Sequence, residues 1–195
     1  MESSLLARCR ALSVPTPANR DTPKLSEIAV VLTAGDLNDA EVALLARPDP
    51  GKPYGRRVII DTPRLEGMIA QWTRGLPCAP HDHGGSSGAV RVLRGEALHT
   101  VWRLTEGRLE AVLTERIAAG HVLQCGPGMI HSMVDAGGEH PLVTLHLYAD
   151  PIDHMVVYDV PGERTLVVEG ACGAWVPTDR PELVRRSTSG FARHI

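Results

Sequence analysis

Short apolar segments separated by turn residues fill the chain from residue 56 onward. Clusters of Gly, Pro or Asp divide them, and Glu106-Gly107 is placed to form a tight hairpin turn. Many short strands with regular turn signals are typical of an all-β sandwich or barrel. The pattern therefore predicts a mainly β fold with a barrel over residues 54–176. The predicted strands cover residues 57–60, 67–72, 89–93, 98–102, 109–113, 121–123, 142–148, 155–158 and 164–168.

The two ends of the chain differ from this region in composition and in the spacing of their apolar residues. Residues 1–24 are rich in Pro, Arg, Ser and Thr, which predicts a loosely ordered lead-in. Residues 25–47 carry apolar positions at helical spacing, interrupted at Gly35-Asp36, and Asn38 can cap a second helix. These features predict two short helices, followed by the barrel and by a charged C-terminal tail over residues 177–195. With no internal repeat, residues 1–195 are expected to form a single domain.

Composition and charge narrow the class of protein. Of the 195 residues, 43% are hydrophobic and 22% charged, and the formal net charge of −3 offers no basic field for a nucleic acid. No apolar run approaches the roughly 18 residues of a membrane span, and the N-terminus lacks the order of a secretory signal. Four well-separated cysteines favour a reducing cytoplasm over a disulfide framework. We expect a cytoplasmic monomer or small homo-oligomer without nucleic-acid or membrane partners.

The strongest chemical signal is the segment His81-Asp82-His83, followed at a distance by His131. Histidines at positions i and i+2 of a strand point to the same face, and a third histidine from another strand can converge on them. Packing does not explain three such rings, since each buried imidazole needs a hydrogen-bond partner or a metal. The pattern predicts a mononuclear metal site. Three imidazoles accept Fe, Ni, Co, Cu or Zn, although a structural zinc site would want four protein ligands.

The spacing around these histidines resembles the two signature motifs of the cupin superfamily, whose fold is a jelly-roll or double-stranded β-helix barrel. The family's common glutamate ligand falls at Gly88, and the terminal Asn of the second motif is Asp135. Without that carboxylate, three neutral imidazoles would leave the full metal charge and up to three open coordination positions. The motifs are carried by Gly75, His81, His83, Gly95, Gly120, Gly128 and His131.

A second constellation lies on the predicted strand 142–148. Thr144, His146 and Tyr148 alternate along it and therefore share one face. A hydroxyl, an imidazole and a phenol in line can form a hydrogen-bonded relay in which each bond polarises the next. Such a relay would aim the phenolic O–H of Tyr148 at the space above the metal.

Together these features resemble the cysteine dioxygenase family of thiol dioxygenases, over residues 54–160. The resemblance implies that His81, His83 and His131 bind Fe(II), while Arg56 pairs with the substrate carboxylate. A small thiol would chelate the iron through thiolate and amine, and O2 would oxidise its sulfur to a sulfinate. The likeness rests on Tyr54, Arg56, Trp72, the run 80–85, Gly95, His131 and the run 145–148, with His131 and His146 fifteen positions apart.

The same resemblance assigns roles around the metal. Tyr148, oriented by His146 and Thr144, would hydrogen-bond to the substrate or to bound oxygen. Candidate substrate contacts, besides Arg56, are Tyr54, Trp72 and Met155. Structural roles are expected for three other residues. Cys78 and Cys125 would be buried apolar residues, and Asp82 would form a turn with its side chain facing away from the metal. Surface or loop positions are expected for His99, His121, His140, His154 and His194.

Departures from the family bear on the substrate. Mammalian members carry at the Gly88 position a Cys that is crosslinked to the tyrosine, and Gly88 excludes that thioether. Ser87 replaces a common His of the pocket wall, and Thr144 replaces a Ser but keeps the hydroxyl. Arg56 favours an amino-acid thiol, so the predicted reaction is oxidation of L-cysteine to cysteine sulfinate. The alternatives are another small thiol such as 3-mercaptopropionate or cysteamine, further oxidation of cysteine in a biosynthetic pathway, and a metal cupin that is an isomerase or a ligand-binding module.

Overall fold

The N-terminal part of the molecule is helical. The structure, a computed structural model, describes residues 4–16 and 21–193. Its helices are α1 (Ser4–Ser13), α2 (Leu25–Thr33) and α3 (Asp39–Leu45). Helices α2 and α3 confirm the two predicted helices, and the side chain of Asn38 caps α3 by accepting a hydrogen bond from the Glu41 amide at 2.9 Å. Within the described residues no helix is both long and apolar enough to span a membrane.

Helix α1 overturns part of the prediction for the lead-in, which is wrong for residues 4–13. Leu5, Leu6 and Cys9 are buried, and Leu5 and Cys9 join a cluster with the α2 residues Ile28 and Leu32. This cluster covers the outer face of the barrel. Leu5, Leu6, Cys9 and Leu12 recur at helical spacing, but the composition of residues 1–24, rich in Pro, Arg, Ser and Thr, masked this short pattern.

The remainder of the described chain forms twelve strands, which confirms the predicted mainly β fold. The hairpin turn predicted at Glu106-Gly107 joins the strand that ends at Thr105 to the strand that begins at Arg108, and both turn residues have positive φ. The strands are β1 (Tyr54–Asp61), β2 (Glu66–Trp72), β3 (His81–Asp82), β4 (Ser87–Arg94), β5 (Glu96–Thr105), β6 (Arg108–Ala118), β7 (Val122–Cys125), β8 (Ile130–Asp135), β9 (Val143–Ala149), β10 (His154–Asp159), β11 (Arg164–Glu169) and β12 (Val184–Ser189).

These strands form two antiparallel sheets. One has the order β1-β2-β9-β4-β7, and the other has the order β12-β11-β10-β3-β8-β5-β6. Several neighbours in the sheets, such as β9 and β4 or β3 and β8, are distant in the sequence, as in a jelly roll, and an apolar core that draws on both sheets lies between them. The predicted C-terminal tail contributes the edge strand β12. All four cysteines are buried free thiols, as expected for Cys78 and Cys125.

Candidate metal centre

Three histidines converge at the centre of the seven-stranded sheet. His81 on β3 lies directly opposite His131 on β8, and His83 follows β3 on the same side. All three rings are buried, and the nitrogens they offer to a metal lie within 4.8 Å of one another. The Nε2 atoms of His83 and His131 are 3.4 Å apart. The structure thus brings together the three predicted ligands.

The hydrogen bonds behind these rings show that the cluster fits a cation. His81 Nδ1 lies 2.9 Å from the carbonyl oxygen of Ala79, which can only accept, so Nδ1 carries the proton and Nε2 holds a bare lone pair. His131 Nδ1 lies 3.1 Å from His99 Nε2 on the side away from the cluster. Lone pairs aimed at one small space are the arrangement that a metal ion satisfies.

Burial keeps these imidazoles neutral. Loss of solvent lowers the pKa of His81 to about 4, with a smaller opposing effect from the Ala79 carbonyl. Burial, and then repulsion by neighbouring histidines, holds the pKa of His83 and that of His131 well below the ordinary value. Metal ligation requires neutral imidazole, so the three rings are already in the ligating state at neutral pH.

A line of hydrogen bonds along β9 faces this cluster from the other sheet. Thr144 Oγ1 lies 2.7 Å from His146 Nε2, and His146 Nδ1 lies 3.0 Å from the Tyr148 hydroxyl. The hydroxyl in turn lies 3.3 Å from His83 Nε2. The relay expected from the alternation of these residues is therefore present in the geometry, and we call it the β9 line.

Trp72 fixes the direction of the β9 line. Its indole Nε1–H can only donate, and it donates to Thr144 Oγ1 at 2.9 Å. Among the described residues, His146 Nε2 is the one side-chain acceptor bonded to the Thr144 hydroxyl, so the hydroxyl donates to it, and His146 carries its proton on Nδ1 and donates to the Tyr148 oxygen. The phenolic proton is left to point into the cavity. Burial raises the pKa of Tyr148 well above its usual range, which keeps that proton in place.

Strand β1 supplies the cationic side of the site. Tyr54 and Arg56 share its inner face, whereas Arg57 is exposed on the other. Arg56 Nη1 donates to the Gly170 carbonyl at 2.9 Å, which anchors one edge of the half-buried guanidinium. Tyr54 accepts a hydrogen bond from the Ala174 amide at 2.9 Å. The register resolves the choice between the adjacent arginines in favour of Arg56.

Every predicted site residue except Thr144 lines one small cavity, and Thr144 anchors the β9 line behind it. The cavity has a volume of about 20 Å³, room for little more than one water molecule beside the side chains. The lining also includes Met68, Met133 and Ile152, which were not predicted. Their sequence positions gave no signal, because an apolar residue that faces inward follows the same pattern whether it meets the core or a cavity. The lining residues are Tyr54, Arg56, Met68, Trp72, His81, His83, His131, Met133, His146, Tyr148, Ile152 and Met155.

Gly88, at the position of the missing carboxylate, lies on β4 opposite Tyr148. A Cβ placed there would lie 2.6 Å from the Leu147 carbonyl oxygen and 2.8 Å from Tyr148 Cε1, closer than real Cβ contacts allow. The phenol therefore occupies the space that a side chain would need. Ser87, expected in the pocket wall, stands at the start of β4 outside the cavity lining. Asp82 forms the expected turn, accepting from the Gly84 amide at 3.0 Å.

The expectation of a surface or loop position is wrong for His99. Its ring on β5 is buried, with Nε2 against His131 Nδ1 and Nδ1 3.4 Å from Glu115 Oε1. Burial lowers the pKa of His99, against a raising effect of Glu115. His121 and His140 are exposed, His154 is partly exposed at the start of β10, and His194 lies outside the described residues.

The fold and the site define a class, the three-histidine cupins, in which a double-stranded β-barrel directs three imidazoles at one cavity. Within that class, the family model "Cysteine dioxygenase type I" matches residues 18–160, and the chain belongs to this family of oxygenases. It is 25% identical to cysteine dioxygenase type 1 of Rattus norvegicus over 143 residues, which cover 71% of this chain and 72% of the rat protein. With the Bos taurus enzyme the identity is 26% over 141 residues, covering 69% and 70%.

One of two solved structures that resemble this chain supports the fold. An oxalate oxidase in complex with glycolate superposes with a TM-score of 0.50 at 15% identity, over 67% of each chain. A double-stranded β-helix domain protein from Klebsiella pneumoniae gives a TM-score of 0.48 at 19% identity, over 60% of this chain and 92% of that one. The predicted cupin fold class is confirmed.

Proposed function

We propose that this protein is an iron-dependent thiol dioxygenase that oxidises L-cysteine to cysteine sulfinate. Both atoms of O2 enter the sulfinate, so the sulfur loses the four electrons that the oxygen gains. The observation that carries the proposal is the position of the Tyr148 hydroxyl, 3.3 Å from Nε2 of His83 in the three-histidine cluster, inside a cavity that also holds Arg56. Fe(II) held by these three histidines would supply coordination sites for the thiolate and for O2.

The protein's own residues position the substrate. Three neutral imidazoles add no negative charge, so the site favours an anionic thiolate. With one Nη1 bond to Gly170, the Arg56 guanidinium keeps further N–H groups for a carboxylate, which it can bind in a forked geometry. The cavity, at about 20 Å³, is smaller than L-cysteine, so side chains of its lining would have to move to admit a thiol, and a short thiol would require the least movement. An L-cysteine with its carboxylate on Arg56 would place its sulfur toward the histidines.

Tyr148 controls the proton beside the reacting sulfur. Because the β9 line runs from Trp72 to Tyr148, the phenol accepts from His146 and donates into the cavity. A hydroxyl held in this way would hydrogen-bond to oxygen or sulfur as negative charge develops there, without having to reorient. Apolar side chains such as Met68 and Met155 would keep water away.

Oxygen uptake tests this proposal. Protein reconstituted with Fe(II) under anaerobic conditions is mixed with oxygenated L-cysteine, 3-mercaptopropionate, cysteamine or homocysteine, and products are identified by mass spectrometry. Selective uptake with L-cysteine and a sulfinate product is expected. Selective turnover of another thiol would replace the substrate and keep the reaction class. Iron-loaded protein without uptake would contradict the proposal and favour an isomerase or a ligand-binding module.

The neighbouring arginines provide a matched pair for the carboxylate contact. Arg56→Ala is expected to raise KM for L-cysteine about tenfold or more, the worth of a hydrogen bond to a charged group, while KM for cysteamine changes little. Arg57→Ala, on the exposed face of the same strand, is expected to leave both values unchanged. Equal effects of Arg56→Ala on both thiols would remove Arg56 from this role. Cytoplasmic location and the oligomeric state stay predictions from the sequence.

A further inference from the structure

A second line of polar groups reaches the cluster from the outer strands of the seven-stranded sheet. Glu115 on β6 lies directly opposite His99 on β5, and His99 is the diagonal neighbour of His131 on β8. The three side chains share one face. Glu115 Oε1 lies 3.4 Å from His99 Nδ1, and His99 Nε2 lies 3.1 Å from His131 Nδ1. We call this the Glu115 line.

We infer that Glu115 and His99 are positioning residues that fix the tautomer and orientation of His131 and strengthen it as a metal ligand. The inference rests on the proposed metal site. Because His131 Nε2 faces the cluster, its proton resides on Nδ1 and is donated to His99 Nε2. His99 must then carry its own proton on Nδ1, which it donates to the Glu115 carboxylate. A negative charge at the far end draws both protons outward and increases electron density on His131 Nε2.

The other two ligands have no such support. His81 Nδ1 faces the neutral carbonyl of Ala79, and His83 Nδ1 has no hydrogen-bond partner among the described residues. Within residues 4–16 and 21–193, only the Glu115 line links a ligand of the cluster to a carboxylate, and that carboxylate is partly exposed, with a side-chain exposure of 40%. His99 itself is almost fully buried, with 1% of its surface exposed. The His99 imidazole is buried and bonded at both nitrogens, to a metal ligand on one side and to a carboxylate on the other. Packing alone does not require these two bonds.

Metal affinity tests the inference independently of turnover. The affinity for Co(II) is measured by competition with a chromophoric chelator, and the visible bands of the bound ion report its ligand field. The variants are His99→Leu, which removes both bonds, His99→Gln, whose amide can accept and donate, and Glu115→Gln, which removes the charge. Glu110→Gln is the control, since Glu110 is an exposed residue of the same strand β6 and undergoes the same change of charge.

We expect His99→Leu to weaken Co(II) binding about 10- to 100-fold, the usual cost of losing such a partner, and His99→Gln to restore most of it. Glu115→Gln should weaken binding by a smaller factor and shift the visible bands, and Glu110→Gln should do neither. A folded His99→Leu protein with wild-type affinity would overturn the inference. So would identical affinity and spectra for Glu115→Gln and Glu110→Gln, a comparison that holds even if His99→Leu does not fold. If the wild-type protein bound no Co(II) or Fe(II), the proposed metal centre would fail, and the inference with it.

Discussion

The β9 line and the Glu115 line approach the same histidine cluster from opposite sheets, and both have an imidazole in the middle. They differ in the direction of their protons. In the β9 line, each group donates toward the cavity, so that Tyr148 presents a proton there. In the Glu115 line, His131 donates away from the cavity toward a carboxylate. One line would thus serve chemistry above the metal, while the other would serve the metal's own ligands.

The largest expected effect comes from removing the point where the two lines meet. His83 contacts both the Tyr148 hydroxyl and His131, so His83→Ala takes away one ligand of the three-histidine cluster. Metal binding should be abolished, as measured by metal analysis after Fe(II) or Co(II) loading. His121→Ala, at an exposed histidine, is the control and should retain the metal. Stoichiometric metal in His83→Ala would show that the cluster is not the binding site.

Tyr148→Phe should separate the two lines. Loss of the proton donor is expected to lower kcat with L-cysteine about 100-fold, a usual contribution of a positioned proton donor, with Co(II) affinity within about threefold of the wild type. His99→Leu should do the reverse: it should lower the affinity for Co(II), while kcat measured at saturating metal changes less. Tyr158→Phe is a matched control, because Tyr158 is equally buried and its hydroxyl has no partner among the described residues. A large loss of Co(II) affinity in Tyr148→Phe would contradict the separation of roles between the two lines.

The contrast also explains which parts of the site could be predicted from the sequence. The β9 line follows one strand, so its members alternate in the sequence and one short segment reveals them. The Glu115 line crosses three strands and depends on the register of β5 against both β6 and β8, which no local pattern encodes. His99 therefore resembled any other strand histidine. The metal ligands are an intermediate case. His81 and His83 could be predicted from their spacing of two residues, whereas His131, on a distant strand, was predicted from the motif around it.

The pH dependence of stability should expose the buried imidazole of the β9 line. Burial lowers the pKa of His146 to about 3, whereas in the unfolded chain it is near the ordinary value of 6.5. The unfolded state therefore binds more protons between these values, so the stability that His146 contributes is complete above about pH 6.5 and is lost as the pH falls toward 3.

Urea unfolding of the metal-free protein between pH 4.5 and 8 measures this effect. His146→Gln keeps an amide that can accept and donate but does not titrate. Its free energy of unfolding should fall less steeply below pH 6.5 than that of the wild type, by at most about 1.4 kcal/mol per pH unit. Parallel curves for the two proteins would mean that His146 binds protons equally in both states.

The smallest effect is expected at the far end of the β9 line. Thr144→Val keeps the shape of the side chain but leaves the Trp72 N–H and His146 Nε2 without their partner, at a cost of about 1–3 kcal/mol in the free energy of unfolding. Thr144→Ser retains the hydroxyl and should recover most of that stability. Thr100→Val, which removes a similar bond to Thr114 on an exposed face, should cost less than about 1 kcal/mol. The same variants show whether Trp72 acts on the reaction through Thr144. A lower kcat in Thr144→Val but not in Thr144→Ser would show that the proton direction set by Trp72 reaches His146, because only a hydroxyl can accept from the indole and donate to His146. An unchanged kcat in Thr144→Val would limit the effect on the reaction to His146 and Tyr148.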